Sequence, residues 1–276
     1  MTTDDIRRDE QDGIIVLTFT RDAKRNAVTP HMLETIATAV RDLGDDDAYR
    51  VLVITGEGRY FTAGLDIGSL ATNVGEGTDG IVRGSNMRRQ YRAQAFHDLF
   101  DEIEMVEKPV ILAAHAHCLG VGVEMAVSCD FRFAAEGATF GLPEVANIAT
   151  LPGSGGISRL TRLVGPHWAR WMAMACQTVT AEQARQIGLV HDIYPADGFH
   201  EKVIDFAKAL GALPREAVGL AKVAIDAAAS VDRRTAREID RLAQTTLFMS
   251  DDYRDRVNAF NAASAARQPK PPEGGA

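Results

Sequence analysis

Lys108-Pro109-Val110-Ile111-Leu112-Ala113-Ala114-His115-Ala116-His117-Cys118-Leu119-Gly120-Val121-Gly122-Val123-Glu124-Met125-Ala126 is the stretch that decides the fold. Val110–Ala114 is apolar throughout, so it reads as a strand covered on both faces. A turn with two glycines then leads into a helix that carries one acidic residue, Glu124. Upstream, Val51-Leu52-Val53-Ile54-Thr55 repeats the fully apolar strand and ends in Gly56-Glu57-Gly58, and Gly13–Thr20 is a further β-branched strand. Between them Thr29 and Pro30 have the chemistry of an N-cap and a first helical position. Met32, Leu33, Ile36, Ala39, Val40 and Leu43 then recur at helical spacing up to Gly44. Strands without a polar face, alternating with helices, predict an α/β protein.

The rest of the chain divides by pattern. Ala71–Gly80 has the composition of a loop, and Met87 to Met105 reads as a helix. From about Thr180 the pattern is helical, over Ala181–Ile187, Phe199–Leu210, Arg215–Ser230 and Arg233–Phe248, with one short strand near Leu189–Tyr194. The residues from Gln268 on are rich in proline and glycine and predict a frayed tail.

Composition removes several classes of function. The net charge of −8 argues against a nucleic-acid surface, whose footprint is basic. Three cysteines, Cys118, Cys129 and Cys176, are an odd number without metal-ligand spacing and fit a reducing compartment. The polar, acidic first ten residues do not read as a signal peptide. The apolar run Val110–Val127 is interrupted by histidines, glycines and Glu124, so it is no membrane span. A soluble cytoplasmic protein is expected. His115 and His117 alternate as on a strand, and the seven histidines contain no helical His-x-x-x-His pair, so no metal site is expected.

Two glutamates in apolar surroundings, Glu124 and Glu144, carry the chemistry. A buried carboxylate has to be satisfied by something, as a helix cap, a salt bridge or a catalytic group. Two of them in different protonation states can give an acid and a base to one substrate. Three glycine-bearing turns lie near them in sequence: Ala63-Gly64-Leu65-Asp66-Ile67, Leu119-Gly120-Val121-Gly122, and Leu151-Pro152-Gly153-Ser154-Gly155-Gly156. Such turns bring backbone close to a ligand, and two facing each other can form an oxyanion hole from N–H groups alone; tight packing of helix on strand is the alternative. Gly120-Val121-Gly122-Val123-Glu124-Met125 fails as a dinucleotide fingerprint, because Met125 stands at the third glycine and Glu124 would oppose a pyrophosphate. Pro152-Gly153-Ser154-Gly155-Gly156 lacks the strand that a nucleophile elbow needs.

Taken in order, these residues resemble the crotonase superfamily, the enoyl-CoA hydratase/isomerase family. The resemblance runs from about Gly13 to about Phe260. It rests on Arg25-Asn26-Ala27, Phe61-Thr62-Ala63-Gly64-Leu65-Asp66, Lys108–Ala113, Gly120-x-Gly122-x-Glu124, Cys129-Asp130, Phe140-Gly141-Leu142-Pro143-Glu144, Leu151-Pro152-Gly153-x-Gly155-Gly156 and Ala184-x-x-Ile187-Gly188-Leu189-Val190. It implies an α/β superhelix of ββα units over residues 1–195 with the catalytic site, a helical trimerisation region over 196–267, and a disordered tail at 268–276. It also implies an acyl-CoA substrate, coenzyme A as part of that substrate with no separate cofactor, and a trimer or a hexamer of two trimers. The matching oxyanion donors are the amides of Leu65 and Val121. The family's acids match Glu124 and Glu144, 20 residues apart as in its hydratases. Lys24, Arg25, Ala27, Ala63, Gly64, Asp66, Ile67 and Gly120 fall at substrate- or CoA-binding positions.

The activity so implied is reversible hydration of a 2-enoyl-CoA, as in fatty-acid β-oxidation, with Glu144 exchanging the Cα proton and Glu124 activating water. One carboxyl would be kept neutral by the charge of the other. Δ3,Δ2-enoyl-CoA isomerase, a lyase or hydrolase of the same fold, and a noncatalytic RNA- or partner-binding relative are the rival readings. Several positions depart from the family pattern. Ala113-Ala114-His115-Ala116 stands where Ala-x-Asn-Gly is usual, and Val121 where glycine is usual. Pro152 stands eight residues past Glu144, where dienoyl-CoA isomerases carry an aspartate. The last helix, with Asn261–Arg267, lacks the usual basic cluster, which leaves Lys24 and Arg25 as phosphate contacts.

Overall fold

The computed structural model describes residues 5–70 and 96–267. The loop expected at 71–80, the first part of the helix expected at 87–105 and the tail from 268 lie outside them.

Two sheets are built by one repeated step. β3 (Val51–Gly56), β5 (Val110–Ala114) and β7 (Phe131–Ala135) are neighbours in a six-stranded sheet, and each is followed by a short strand in a second sheet. Those short strands are β4 (Tyr60–Thr62), β6 (His117–Leu119) and β8 (Thr139–Gly141). Within each sheet successive units pair in parallel, Ile54 with Leu112 and Ala113 with Phe133 in the first, Cys118 with Phe140 in the second. A chain that lays one strand on each sheet, turns through a helix and repeats winds into a superhelix, so the structure has the expected α/β form. The large sheet is completed by β1 (Ile6–Gln11) and β2 (Ile14–Phe19) at one edge and β10 (Asp192–Tyr194) at the other; β9 (Val179–Thr180) closes the small sheet.

Helix α1 (Pro30–Asp45) forms as its sequence dictates. The Thr29 hydroxyl accepts from the Met32 N–H at 3.2 Å, and Met32, Leu33, Ile36, Ala39, Val40 and Leu43 are all buried. Each large side chain on that stripe contributes about 1.5–3 kcal/mol of burial free energy. Helix α2 (Phe96–Met105) packs against α1 and buries Phe96, Leu99, Phe100 and Ile103.

Some strands are not legible in the sequence. β1 reads Ile-Arg-Arg-Asp-Glu-Gln and shows no apolar face; it exists because it pairs antiparallel with β2 at an edge, where charged side chains discourage further pairing. β7 carries Arg132 in a buried position, which breaks the apolar run. Its guanidinium is satisfied by the Leu189 and Cys129 carbonyls at 2.7 and 2.5 Å. β4, β6 and β8 are three residues each, too short to show alternation. His115 lies in the bend after β5 and His117 in β6, so the two do not share a strand as expected; His115 Nε2 sits 3.0 Å from the Gly58 carbonyl, and His117 Nδ1 is 2.8 Å from Thr139 Oγ1.

The chain divides into compact units at 212/213. Helix α7 (Phe199–Gly211), expected from the sequence to go with the C-terminal helices, buries Phe199, Val203 and Ala207 against Ile14, Val16, Val51, Val53 and Ile111 of the large sheet. It therefore belongs to the first unit. The second unit holds α8 (Arg215–Ala228) and α9 (Arg233–Phe248), both close to the expected bounds, and α10 (Asp251–Arg267). Among the described residues no helix is long and apolar enough to cross a membrane.

Candidate active site

Helix α4 (Val121–Ala126) starts directly after β6, and all of its residues are buried. Gly120, just before it, has φ +59°, and Gly64, in the turn after β4, has φ +106°; both lie where side chains are strained. The two turns face each other closely. A Cβ on Gly120 would lie 3.4 Å from Gly64 Cα and 3.0 Å from Glu144 Oε1. Two of the three glycine turns therefore meet, and Glu144 sits over their junction.

Hydrogen bonding around the turns sets the direction of two amides. Val28 N–H donates to the Gly64 carbonyl at 2.8 Å, and Asp66 N–H donates to the Val28 carbonyl at 2.9 Å. These are the groups flanking Leu65 in a parallel bridge, so the Leu65 N–H faces the other side of the chain. Val121 is the first residue of its helix, and its N–H has no intrahelical acceptor. Gly120 N–H is taken by the Gly141 carbonyl at 2.9 Å, which ties the second turn to β8.

The turn of Lys24, Arg25 and Ala27 is joined to the same place. Ala63 N–H donates to the Arg25 carbonyl at 2.9 Å, and Arg25 and Asn26 are both left-handed, with φ 54° and 51°. Buried Asn26 holds this turn through its Nδ2, which donates to the Glu57 and Tyr60 carbonyls at 2.9 and 2.7 Å. Lys24 is exposed, and the Arg25 guanidinium lies over the Tyr60 ring at 5.7 Å. Ile67 is half-exposed. Asp66 is ion-paired with Arg21 at 2.8 Å, which fixes the end of the Gly64 turn.

The two glutamates differ in setting. Glu124, in α4, is buried and accepts from the Ser154 N–H through Oε2 at 2.7 Å. Its pKa is pushed up to about 7, mainly by burial; the charge of Glu144 adds to this, while the Ser154 N–H and the charge of Arg159 oppose it. Glu144 opens helix α5 (Glu144–Ile148) after Pro143 and is partly buried. Burial raises its pKa as well, and its buried Oε2 has no hydrogen-bond partner among the described residues. Neither carboxylate forms a salt bridge among the described residues, and neither is an N-cap. The expectation that one group is kept neutral by its neighbour's charge needs a correction: removal from water is the larger cause, and the neighbour's charge comes after it.

The third glycine turn serves the carboxylate rather than the turn pair. A Cβ on Gly156, the first residue of α6 (Gly156–Ala169), would lie 2.8 Å from Glu124 Cγ. Ser154 and Gly156 thus hold and make room for Glu124, a role that motif spacing alone does not reveal. Their signal in the sequence is the run of small residues after Pro152.

A raised carboxyl pKa is also a statement about stability. Below about pH 4.5 Glu124 is protonated whether folded or not, and its burial costs nothing extra. Between about 4.5 and 7 the unfolded chain ionises while the folded one does not, so stability falls, and above 7 the full penalty stands. At about 1.36 kcal/mol per unit that penalty is about 3 kcal/mol. Glu124→Gln, which can still accept from Ser154, is expected to unfold at higher denaturant concentration than the parent at pH 8 and at the same concentration at pH 4. Equal midpoints at pH 8 would show that the carboxylate is not held against ionisation.

The comparisons agree with this architecture. The chain belongs to the enoyl-CoA hydratase/isomerase family, whose model matches residues 9–266. The 2,3-dehydroadipyl-CoA hydratase of Escherichia coli (strain K12) is 32% identical over 250 residues, covering 91% of this chain and 92% of its own. The crotonyl-CoA hydratase of Syntrophomonas wolfei is 33% identical over 261 residues, covering 94% and 96%. The crystal structure of an enoyl-CoA hydratase from Bacillus anthracis has a TM-score of 0.83 at 27% identity, covering 94% of this chain and 96% of that one.

Proposed function

We propose that this protein is an enoyl-CoA hydratase, adding water reversibly across the 2,3 double bond of an enoyl-CoA thioester. The observation that carries the reading is Glu144 set over a pair of facing glycine turns, with Glu124 near enough to feel its charge and both carboxyl pKa values raised, in a chain whose relatives are named hydratases. The thioester oxygen would lie between the amides of Leu65 and Val121, which stabilise the negative charge it gains as water adds. A water oxygen bonds to Cβ while a proton is placed on Cα. Glu124 activates the water and takes the proton it gives up, and Glu144 delivers the proton that Cα gains. Lys24, Arg25 and Ala27, with Ala63, Asp66 and Ile67, would line the path of the CoA moiety, and Gly64 and Gly120 would let the thioester approach the backbone.

Loss of the conjugated-thioester absorbance of crotonyl-CoA on mixing with the protein tests this. An inert protein would favour a noncatalytic relative, and interconversion of 3- and 2-enoyl-CoA without hydration would favour an isomerase.

The same reading includes assembly as a trimer or hexamer in the cytoplasm. Large apolar side chains of the last three helices stand in water on the isolated chain, Ile225 at 69%, Met249 at 78% and Phe260 at 73% exposure, and burial between subunits would remove them from it. Light scattering is expected to give three or six times 29.9 kDa. A clean monomer would contradict the assembly.

A further inference from the structure

Arg159 makes contacts for which the chemistry above has no use. It lies in α6 just after the glycine turn, and its side chain is 5% exposed. Guanidinium Nη1 donates inward to the Ser154 carbonyl at 2.6 Å. Nη2 reaches outward to Asp101 Oδ1 at 2.5 Å and Glu104 Oε2 at 2.7 Å, both on α2. Ser154 is therefore held through both of its backbone groups: its carbonyl by Arg159, its N–H by Glu124 Oε2 at 2.7 Å.

The sequence reserves room for both grips. A Cβ on Gly155 would overlap Arg159 Nη1, as one on Gly156 would crowd Glu124 Cγ. A buried charge is retained at a cost unless its donors are used, and here the planar fork spans from surface carboxylates to an interior carbonyl. A lysine offers no such fork. With both carboxylates on α2 and the carbonyl on the turn, the guanidinium fixes the turn relative to that helix.

We propose that Arg159 is a positioning residue for Glu124, acting through Ser154. Asp101 and Glu104 anchor the guanidinium, the guanidinium fixes the Ser154 carbonyl, and the Ser154 N–H sets the orientation of the carboxylate that polarises water. The proposal rests on the hydratase reading of Glu124. The charged groups acting on Glu124 are Glu144 and Arg159 itself; His97, beside Gly153, is held toward its neutral form by burial.

The test compares Arg159→Met, Arg159→Lys and the parent on crotonyl-CoA across pH. In the methionine variant kcat is expected to fall roughly 10- to 100-fold, the scale on which a misplaced group is felt, with KM within about twofold. The Glu124 ionisation should move upward from about 7, because a hydrogen bond and a positive charge that favour the carboxylate are both weakened. Arg159→Lys keeps the stem and the charge but reaches only one side, so it should recover part of kcat and leave the ionisation near its parental position. Parental kcat and pH profile in the methionine variant would overturn the proposal, as would a loss of stability and kcat with the ionisation unmoved. Should that variant not fold, parental kcat in Arg159→Lys overturns it, and a reduced kcat at unchanged KM supports it. Should the parent itself not hydrate crotonyl-CoA, the hydratase reading fails separately. The Glu124 ionisation is then read without substrate, from the pH dependence of unfolding of each protein against the same protein carrying Glu124→Gln, and an unmoved value in Arg159→Met overturns the Arg159 proposal.

Discussion

Glu144→Gln is expected to lower turnover of crotonyl-CoA by at least roughly 10²-fold, the floor for a positioned acid or base, and Glu124→Gln by a similar factor. Glutamine keeps the size of the side chain and can still accept a hydrogen bond, but it cannot gain or lose a proton at the pH of the reaction. Glu144 opens a helix and has a buried oxygen without a partner among the described residues, so its replacement disturbs no described contact there. Glu124 keeps its Ser154 contact as an amide. The loss in each case is therefore chemical, and far-ultraviolet circular dichroism should be unchanged. Because the two act on one water and one double bond, their effects should not add: the double variant is expected to fall little below the worse single one. Near-parental turnover in either single variant would sink the two-carboxylate mechanism. Glu124→Gln can retain some isomerase activity, since moving a proton along the acyl chain needs one base.

How far the sequence reaches depends on whether a feature is local. Helix α1 is local: its cap, its proline and its apolar stripe lie within one stretch, and each behaves as its chemistry requires. The strands Val51–Gly56 and Val110–Ala114 are legible because both faces are buried and Val51–Ile54 and Val110–Ala114 are unbroken apolar runs. β1 and β7 are invisible for the opposite reason. Their identity comes from partners: an edge pairing in one case, carbonyls that satisfy Arg132 in the other.

The site divides in the same way. Glu124, Glu144 and the glycines stand out as residue types out of keeping with their surroundings, and the family resemblance orders them. What cannot be read is how distant groups act on one another. Ser154 holds Glu124 across 30 positions, and Asp101 meets Arg159 across 58. The cause of the Glu124 shift is another example, since spacing suggests charge repulsion between two acids while the fold makes burial the larger effect.

Val121→Pro is expected to cost 10²–10³-fold in turnover, roughly 3–4 kcal/mol, the usual effect of losing one oxyanion donor. The position makes this an unusually clean deletion. Val121 is the first residue of α4, where proline is tolerated because the missing N–H would have had no partner inside the helix. Gly120 before it has no side chain to clash with the ring and lies at φ 59°, ψ −125°. The fold should therefore survive the loss of the amide hydrogen. Val121→Gly is the matching control. It keeps the N–H and removes only the isopropyl group, so activity should be largely retained, with a stability loss from the buried side chain and the freer backbone. If side-chain packing were what mattered at this position, glycine would be as damaging as proline. If a backbone donor is what matters, proline alone weakens polarisation of the thioester, leaving only the Leu65 amide. A folded Val121→Pro variant that hydrates crotonyl-CoA at the parental rate would place that polarisation elsewhere.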